Sequence, residues 1–271
     1  VPEGDTVWLQ AQRLNSALGG EQLMGCDLRV PRFATTDLSG CQVTAARSRG
    51  KHLLIECTGG VLGDSTALIH SHLKMGGIWQ FYPRQGAGSR WRRPAHTARA
   101  VLTTADTVAV GFSLGILEVL SPAEAAERLS GLGPDLLGPD WDAAEAVRRL
   151  AAQPGRPLGQ ALLDQRNLAG IGNIYRNELC FLAGLRSSSP VVEADLLRLV
   201  KQARRLLEAN KRRTQRITTG LPGLVADERS WVYGRANRPC HRCGTLIHQT
   251  EEAGRPLYSC PRCQPKPKLV G

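Results

Sequence analysis

Cys240-His241-Arg242-Cys243 and Cys260-Pro261-Arg262-Cys263 are two C-x2-C pairs with sixteen residues between them. Each pair can fold as a tight knuckle that turns both thiolates toward one ion. The length between them suits a β-hairpin that brings the knuckles together. Four thiolates give Zn²⁺ a closed tetrahedral shell, which makes a structural site and not a catalytic one. His241 and His248 could compete as ligands, but the four cysteines already complete the shell. Two disulfides are the alternative chemistry, and a chain without a secretory pattern argues against them. A hairpin this small has little core, so metal should be required for its fold.

A second run with chemical potential is Leu162-Leu-Asp-Gln-Arg-Asn-Leu-Ala-Gly-Ile-Gly-Asn-Ile-Tyr-Arg-Asn-Glu178. Gly170 and Gly172 put small turns between apolar helical segments, and glycine lets backbone come close to a partner. The following helix start offers backbone N–H groups and a partial positive charge, which suit a phosphate. A buried helix–turn–helix corner would look the same.

The elements that must position these groups are legible in outline. Val7, Trp8, Ala11, Leu14 and Leu18 recur at helical spacing, so Thr6–Leu18 should be an amphipathic helix capped by Asp5 or Thr6. Strand-like runs follow at 42–46, 52–57, 67–73, 77–82, 98–104 and 108–112, and they suggest a sandwich or barrel. Pro83–Pro94 reads as an exposed loop. Gly131–Asp135 and Gly138–Asp140 break the pattern as a linker would. Helices are expected at 143–152, 158–164, 174–183 and 194–209, then a mobile basic connector at 210–230.

The 271 residues carry 35 Lys+Arg against 24 Asp+Glu, a formal net charge of +11. Such a balance favours a polyanionic partner, although a merely basic soluble surface would give the same count. Aromatics are sparse, so a stacking platform for single strands is not evident. Val1–Asp5 lacks a basic-then-apolar pattern, and no stretch reaches membrane-span length, so a cytoplasmic protein is expected. Cys26, Cys41, Cys57 and Cys180 lie in apolar surroundings and should be reduced core residues.

Taken in order, the motifs resemble those of the formamidopyrimidine-DNA glycosylase/endonuclease VIII family, most closely its actinobacterial endonuclease VIII branch. The resemblance rests on Pro2-Glu3-Gly4, Arg49-Gly50-Lys51-His52-Leu53, His70-Ser71-His72-Leu73-Lys74-Met75-Gly76, the 162–178 run, and Gly254-Arg255 ahead of Cys260–Gln264. It spans essentially the whole chain. It implies an α+β fold: an N-terminal β-sandwich with a flanking helix (1–125), a linker (126–142), a helix-two-turn-helix domain (143–230), a zinc-finger β-hairpin (231–265) and a basic tail (266–271). DNA would lie between the two domains, and the only cofactor implied is one structural Zn²⁺.

The resemblance also implies roles. Pro2, as first residue of the mature chain, would have a free secondary amine with a pKa of about 8, partly neutral near pH 7. It would attack C1′ of a damaged nucleoside, displace the base and form an iminium, the electron sink for β,δ-elimination. Glu3 would shuttle protons. A first-turn glutamate is equally at home at a helix start. Lys51, Asn173 and Arg255 would clamp phosphates around the extruded nucleotide, Lys51 and Arg255 also supporting catalysis. Met75 would enter the gap left in the stack. Arg242, Arg255 and Arg262 on the finger point to phosphate binding.

Three features depart from the family pattern. Val1 precedes Pro2, so the amine requires its removal. Of a second early carboxylate only Asp5 remains. The Arg-Phe-Gly element of the purine branch is replaced by Ala109-Val110-Gly111-Phe112. The expected function is therefore a monomeric bifunctional glycosylase/AP lyase acting on oxidised pyrimidines in double-stranded DNA. The alternatives are a purine- or abasic-site-preferring member, or a non-catalytic damaged-DNA-binding protein.

Overall fold

The computed structural model describes residues 2–220 and 229–265. Val1, part of the expected connector and the basic tail lie outside them. The chain divides into two compact units, Val1–Gly131 and Leu132–Gly271.

The first unit opens with α1 (Gly4–Leu18), followed by β1 (Gly25–Leu28), β2 (Gln42–Arg49), β3 (His52–Thr58), β4 (Thr66–His72), β5 (Ile78–Pro83), β6 (Ala98–Thr103), β7 (Thr107–Phe112) and β8 (Ile116–Leu120). A short helix, α2 (Pro122–Leu129), closes it. The strands form two antiparallel four-stranded sheets, β2-β3-β4-β8 and β1-β6-β7-β5. Alternation along β3 sends Leu53, Ile55 and Cys57 into the shared core with Val7, Leu14 and Leu18 of α1. The opposite face carries Leu54, which packs with Leu68, Leu120, Ala125 and Leu129 under α2.

Two polar side chains of α1 fix it to both sheets. Gln10 Oε1 accepts the backbone N–H of Trp79 at 3.0 Å, and Asn15 Oδ1 accepts that of Ala46 at 3.0 Å. Ala46 lies just past a register shift at Val43/Ala45 in β2. Buried Gln10 and exposed Asn15 thus supply acceptors to backbone N–H groups of the edge strands β5 and β2.

The sequence reading missed β1, β8 and α2. The first two strands are short. The third had a usable signal: Ser121-Pro122-Ala123-Glu124 is a capping box with proline in the first turn. α2 runs across residue 125, where the first domain was expected to end.

The second unit contains α3 (Ala143–Ala151), α4 (Leu158–Leu163), α5 (Asn173–Ala183), α6 (Leu196–Asn210) and the hairpin β9 (His248–Glu252) and β10 (Arg255–Ser259). Leu150, Leu158, Leu162, Tyr175, Leu179 and Leu207 belong to its helical core. The expected linker is not a bare connector. Gly133 N–H donates to Gln165 O at 2.9 Å, and Ala169 N–H donates to Pro134 O at 2.9 Å, so its second half pairs with the turns between α4 and α5. Nor are the described parts of 210–230 loose. Asn210 Oδ1 accepts Ile217 N–H at 2.7 Å, and Thr218 N–H donates to Arg229 O at 2.7 Å. Among the described residues, no helix is long and apolar enough to cross a membrane.

Candidate active site and DNA-binding residues

Pro2 and Glu3 stand at the start of α1, and Glu3 is fully buried. Its carbonyl accepts Val7 N–H at 3.0 Å, opening the helix, while its side chain makes no capping bond to the first turn. The carboxyl is therefore not the N-cap group that a first-turn glutamate would most simply be. Asp5 is also buried; its Oδ1 accepts Thr6 N–H at 2.7 Å.

Lys51 is the second residue of the two-residue β2–β3 turn. Gly50 before it takes φ +57°, the left-handed conformation that the first central residue of such a hairpin needs. Met75 tops the β4–β5 turn and is 74% exposed. Gly77 ends that turn by donating to Leu73 O at 2.8 Å, and a Cβ there would meet the same oxygen at 2.5 Å. A large apolar side chain held in solvent by a tight turn is not a core methionine, the commoner fate of that residue.

Behind these two turns lies a histidine cluster to which the sequence reading gave no role. His52 Nδ1 and His70 Nε2 are 2.9 Å apart, and His70 Nδ1 is 3.1 Å from Glu118 Oε2. His72 Nδ1 accepts Lys74 N–H at 2.9 Å. Burial, then the nearby His72, His70, Lys74 and Lys51, push the His52 pKa down to about 3. Burial, then Lys74 and Lys51, lower that of His72 to about 4.

In the second unit, the α4–α5 turns are stapled by Gln165, which sequence reasoning also passed over. Its Nε2 donates to Leu163 O at 2.8 Å and Ile171 O at 2.9 Å, and its Oε1 accepts Gly170 N–H at 3.0 Å. One face of α5 then grips the hairpin. Asn173 Nδ2 donates to Pro256 O at 2.9 Å, and Asn177 Oδ1 accepts Tyr258 N–H at 2.6 Å. Arg176, one turn on, pairs with Glu252 at 3.1 Å. Asn173 thus lies against the residue that follows exposed Arg255. Its carbonyl oxygen also accepts from Arg176, so the side chain serves the fold as well as any ligand.

Arg242, also on the finger, is exposed and stacks on two aromatic rings. Its guanidinium lies over the Phe181 ring at 4.6 Å and the Trp231 ring at 5.7 Å. This cation–π packing orients the arginine on the finger. The late β run shows no gap-filling side chain, since Ala109, Val110 and Phe112 of β7 are all buried.

The four finger cysteines converge, with all Sγ atoms within 4.8 Å of one another. Cys240–Cys263 and Cys243–Cys260 are 3.9 and 3.4 Å apart. A tetrahedral ion with bonds of about 2.3 Å to sulfur sets its ligands roughly 3.8 Å apart, so this donor set fits a structural metal. Arg242 N–H points to Cys240 Sγ and Cys263 N–H to Cys260 Sγ, each at 3.4 Å, the backbone support expected of thiolate knuckles. His241 and His248 are not part of the cluster.

Comparison with known proteins agrees along the full length. Residues 1–113 match the formamidopyrimidine-DNA glycosylase N-terminal domain, 132–221 its H2TH domain, and 238–266 the zinc finger found in FPG and IleRS. The chain belongs to the formamidopyrimidine-DNA glycosylase/endonuclease VIII family. A probable endonuclease 8 2 of Streptomyces coelicolor is 50% identical, covering 98% of this chain and 95% of that one. The DNA-(apurinic or apyrimidinic site) lyase Nei2 of Mycolicibacterium smegmatis is also 50% identical, with 97% and 99% covered. The fold matches that of Lactococcus lactis Fpg bound to abasic-site DNA, with a TM-score of 0.79, 22% identity, and 97% and 100% of the two chains covered. The family is one of DNA glycosylase/AP lyases, with a zinc finger that here carries its four cysteines.

Proposed function

We propose that this protein is a bifunctional DNA glycosylase/AP lyase that excises oxidised pyrimidines from duplex DNA during base excision repair. The observation that carries the mechanism is the fully buried carboxyl of Glu3 directly after Pro2 at the start of α1. In the mature chain the Pro2 nitrogen attacks C1′, and the glycosidic electron pair leaves with the base, which takes up a proton. Glu3 assists opening of the sugar ring and later moves the C2′ proton. The iminium accepts the electron pair freed at C2′, so the 3′ and then the 5′ phosphate are expelled.

Lys51 and Arg255 hold the phosphates beside the extruded nucleotide, Asn173 seats the Arg255 hairpin and adds a donor, and Met75 enters the vacated stack. Cys240, Cys243, Cys260 and Cys263 would hold one Zn²⁺, which supplies rigidity to the hairpin and no chemistry to the sugar. The β7 run lacks the arginine that the resemblance assigns to the purine branch, which favours pyrimidine lesions. A second reading, abasic DNA as the principal substrate, is favoured by the lyase name of the Mycolicibacterium relative.

Borohydride trapping separates these readings. Protein whose mass confirms that Val1 is absent is incubated with duplexes carrying thymine glycol or an abasic site. A stable adduct mapping to Pro2 on both duplexes is expected. An adduct on the abasic duplex alone selects the second reading. No adduct on either leaves only damaged-DNA binding.

A further inference from the structure

On the outward face of the β2-β3-β4-β8 sheet, register brings His52 opposite His72 and His70 opposite Glu118. A carboxylate only accepts hydrogen bonds, so His70 must carry its proton on Nδ1 toward Glu118. In the neutral ring His70 Nε2 is then an acceptor, and His52 must donate to it from Nδ1. His72 accepts the Lys74 N–H at Nδ1, so its own proton sits on Nε2. Three tautomers follow from one carboxylate and one backbone amide. The second carboxylate oxygen of Glu118 is taken by Arg128 of α2 at 3.1 Å, which keeps the carboxylate aimed.

The two ends of this chain of contacts are the two turns that the proposed function assigns to DNA. His52 directly follows Lys51, and His72 holds the amide of Lys74, whose φ is +48° and which directly precedes Met75. A non-glycine residue in that conformation is held there by its surroundings, and here the holding bond is visible. The rings of His52 and His72 meet edge to face at 5.0 Å, and those of His52 and His70 stack at 5.1 Å. The turns are therefore tied to each other across β3 and β4 by packed imidazoles.

We propose that Glu118, His70, His52 and His72 form a tautomer-locked positioning relay that presents Lys51 and Met75 to DNA in one fixed arrangement. This rests on the roles given to Lys51 and Met75 above. The relay touches neither sugar nor base. It acts through the two turns, and it works only with all three imidazoles neutral. Burial favours that state in all three rings; Lys74 and Lys51 add to it at His52 and His72, and at His70 burial with Arg128 outweighs the opposing pull of Glu118.

Two measurements on the full-length, metal-loaded chain test this. Long-range ¹H–¹⁵N correlation of the histidine rings near pH 7 should show His52 and His70 protonated on Nδ1 and His72 on Nε2. A doubly protonated His70, or His70 protonated on Nε2, overturns the relay. The second is a double-mutant cycle on single-turnover cleavage of abasic DNA. Glu118→Ala should slow cleavage about tenfold when Lys51 is present and less than about twofold in the Lys51→Ala background, because misplacement matters only while the placed group exists. Glu118→Gln, which keeps an acceptor for His70, should restore most of the rate. Equal slowing in both backgrounds, or none in either, overturns the inference. A Lys51→Ala protein with the parent rate would instead overturn the role given to Lys51, and the relay would lose its purpose with it.

Discussion

The carboxylate of Glu178 accepts the backbone N–H of Val232 at 2.9 Å. The same carboxylate takes Trp231 N–H at 2.8 Å, Tyr233 N–H at 2.9 Å and the Thr218 hydroxyl. One fully buried side chain of α5 therefore organises the chain on both sides of residues 219–230 and starts the finger. Glu178→Ala would leave several buried donors without a partner, at a cost on the order of 3–5 kcal/mol. Glu178→Gln should cost less, since it keeps one acceptor oxygen. Urea unfolding followed by circular dichroism checks both, and parent-like midpoints for both would mean that these bonds add nothing.

Metal removal should act on the finger first. Its small core consists of Phe181, Val232, Ile247 and two of the four cysteines, Cys240 and Cys260. Without an ion, four thiol groups face one another and little apolar burial holds the hairpin. Chelation, or Cys260→Ser, should change the fluorescence of Trp231, which stacks on Phe181 at 5.5 Å. DNA affinity should fall at least tenfold while the sandwich stays folded. An unchanged Trp231 environment after verified metal loss would show that the finger folds without it.

Acid should destabilise the first unit earlier than carboxylate titration alone would. His52 and His72 have pKa values lowered to about 3 and about 4, against an ordinary histidine value of about 6.5. Below pH 6.5 the unfolded chain binds protons that the folded chain refuses, so stability is full above that pH and is lost as pH falls toward 4 and 3. The melting temperature should drop steadily from pH 7 to pH 5. The drop should be smaller in a His52→Asn, His72→Asn double variant measured against its own pH 7 value.

Met75 should separate stability from function. It is exposed at the tip of its turn, so Met75→Ala should leave the melting temperature within a degree or two of the parent. Cleavage of a lesion duplex should slow about tenfold, with a smaller effect on an already abasic site, where less unstacking is needed. Calorimetry and single-turnover cleavage on the two duplexes measure this. A large loss of stability would return Met75 to the fold.

The separate elements of this protein were readable because they depend on local pattern. The C-x2-C pairs specify a metal site by ligand type and spacing, and the apolar spacing of Val7, Ala11, Leu14 and Leu18 specifies a helix. The ordered motifs from Pro2 to Cys263 were enough to place the chain in its family. Arg242 shows where that reading stops, because its stacking on Phe181 and Trp231 leaves no signal in the local sequence.

What only the tertiary structure decided are the pairings between residues far apart in the chain. Glu178 meets Val232, His70 meets Glu118, Gln10 meets Trp79, and Asn173 meets Pro256 because sheet register and helix packing bring them together. Each pairing satisfies a polar group that burial would otherwise leave orphaned, and that requirement appears only once the chain has folded. The sequence by itself determined which residues could do the chemistry. The fold decided which of them are held neutral, buried and aimed, because those properties belong to surroundings that no single stretch of sequence contains.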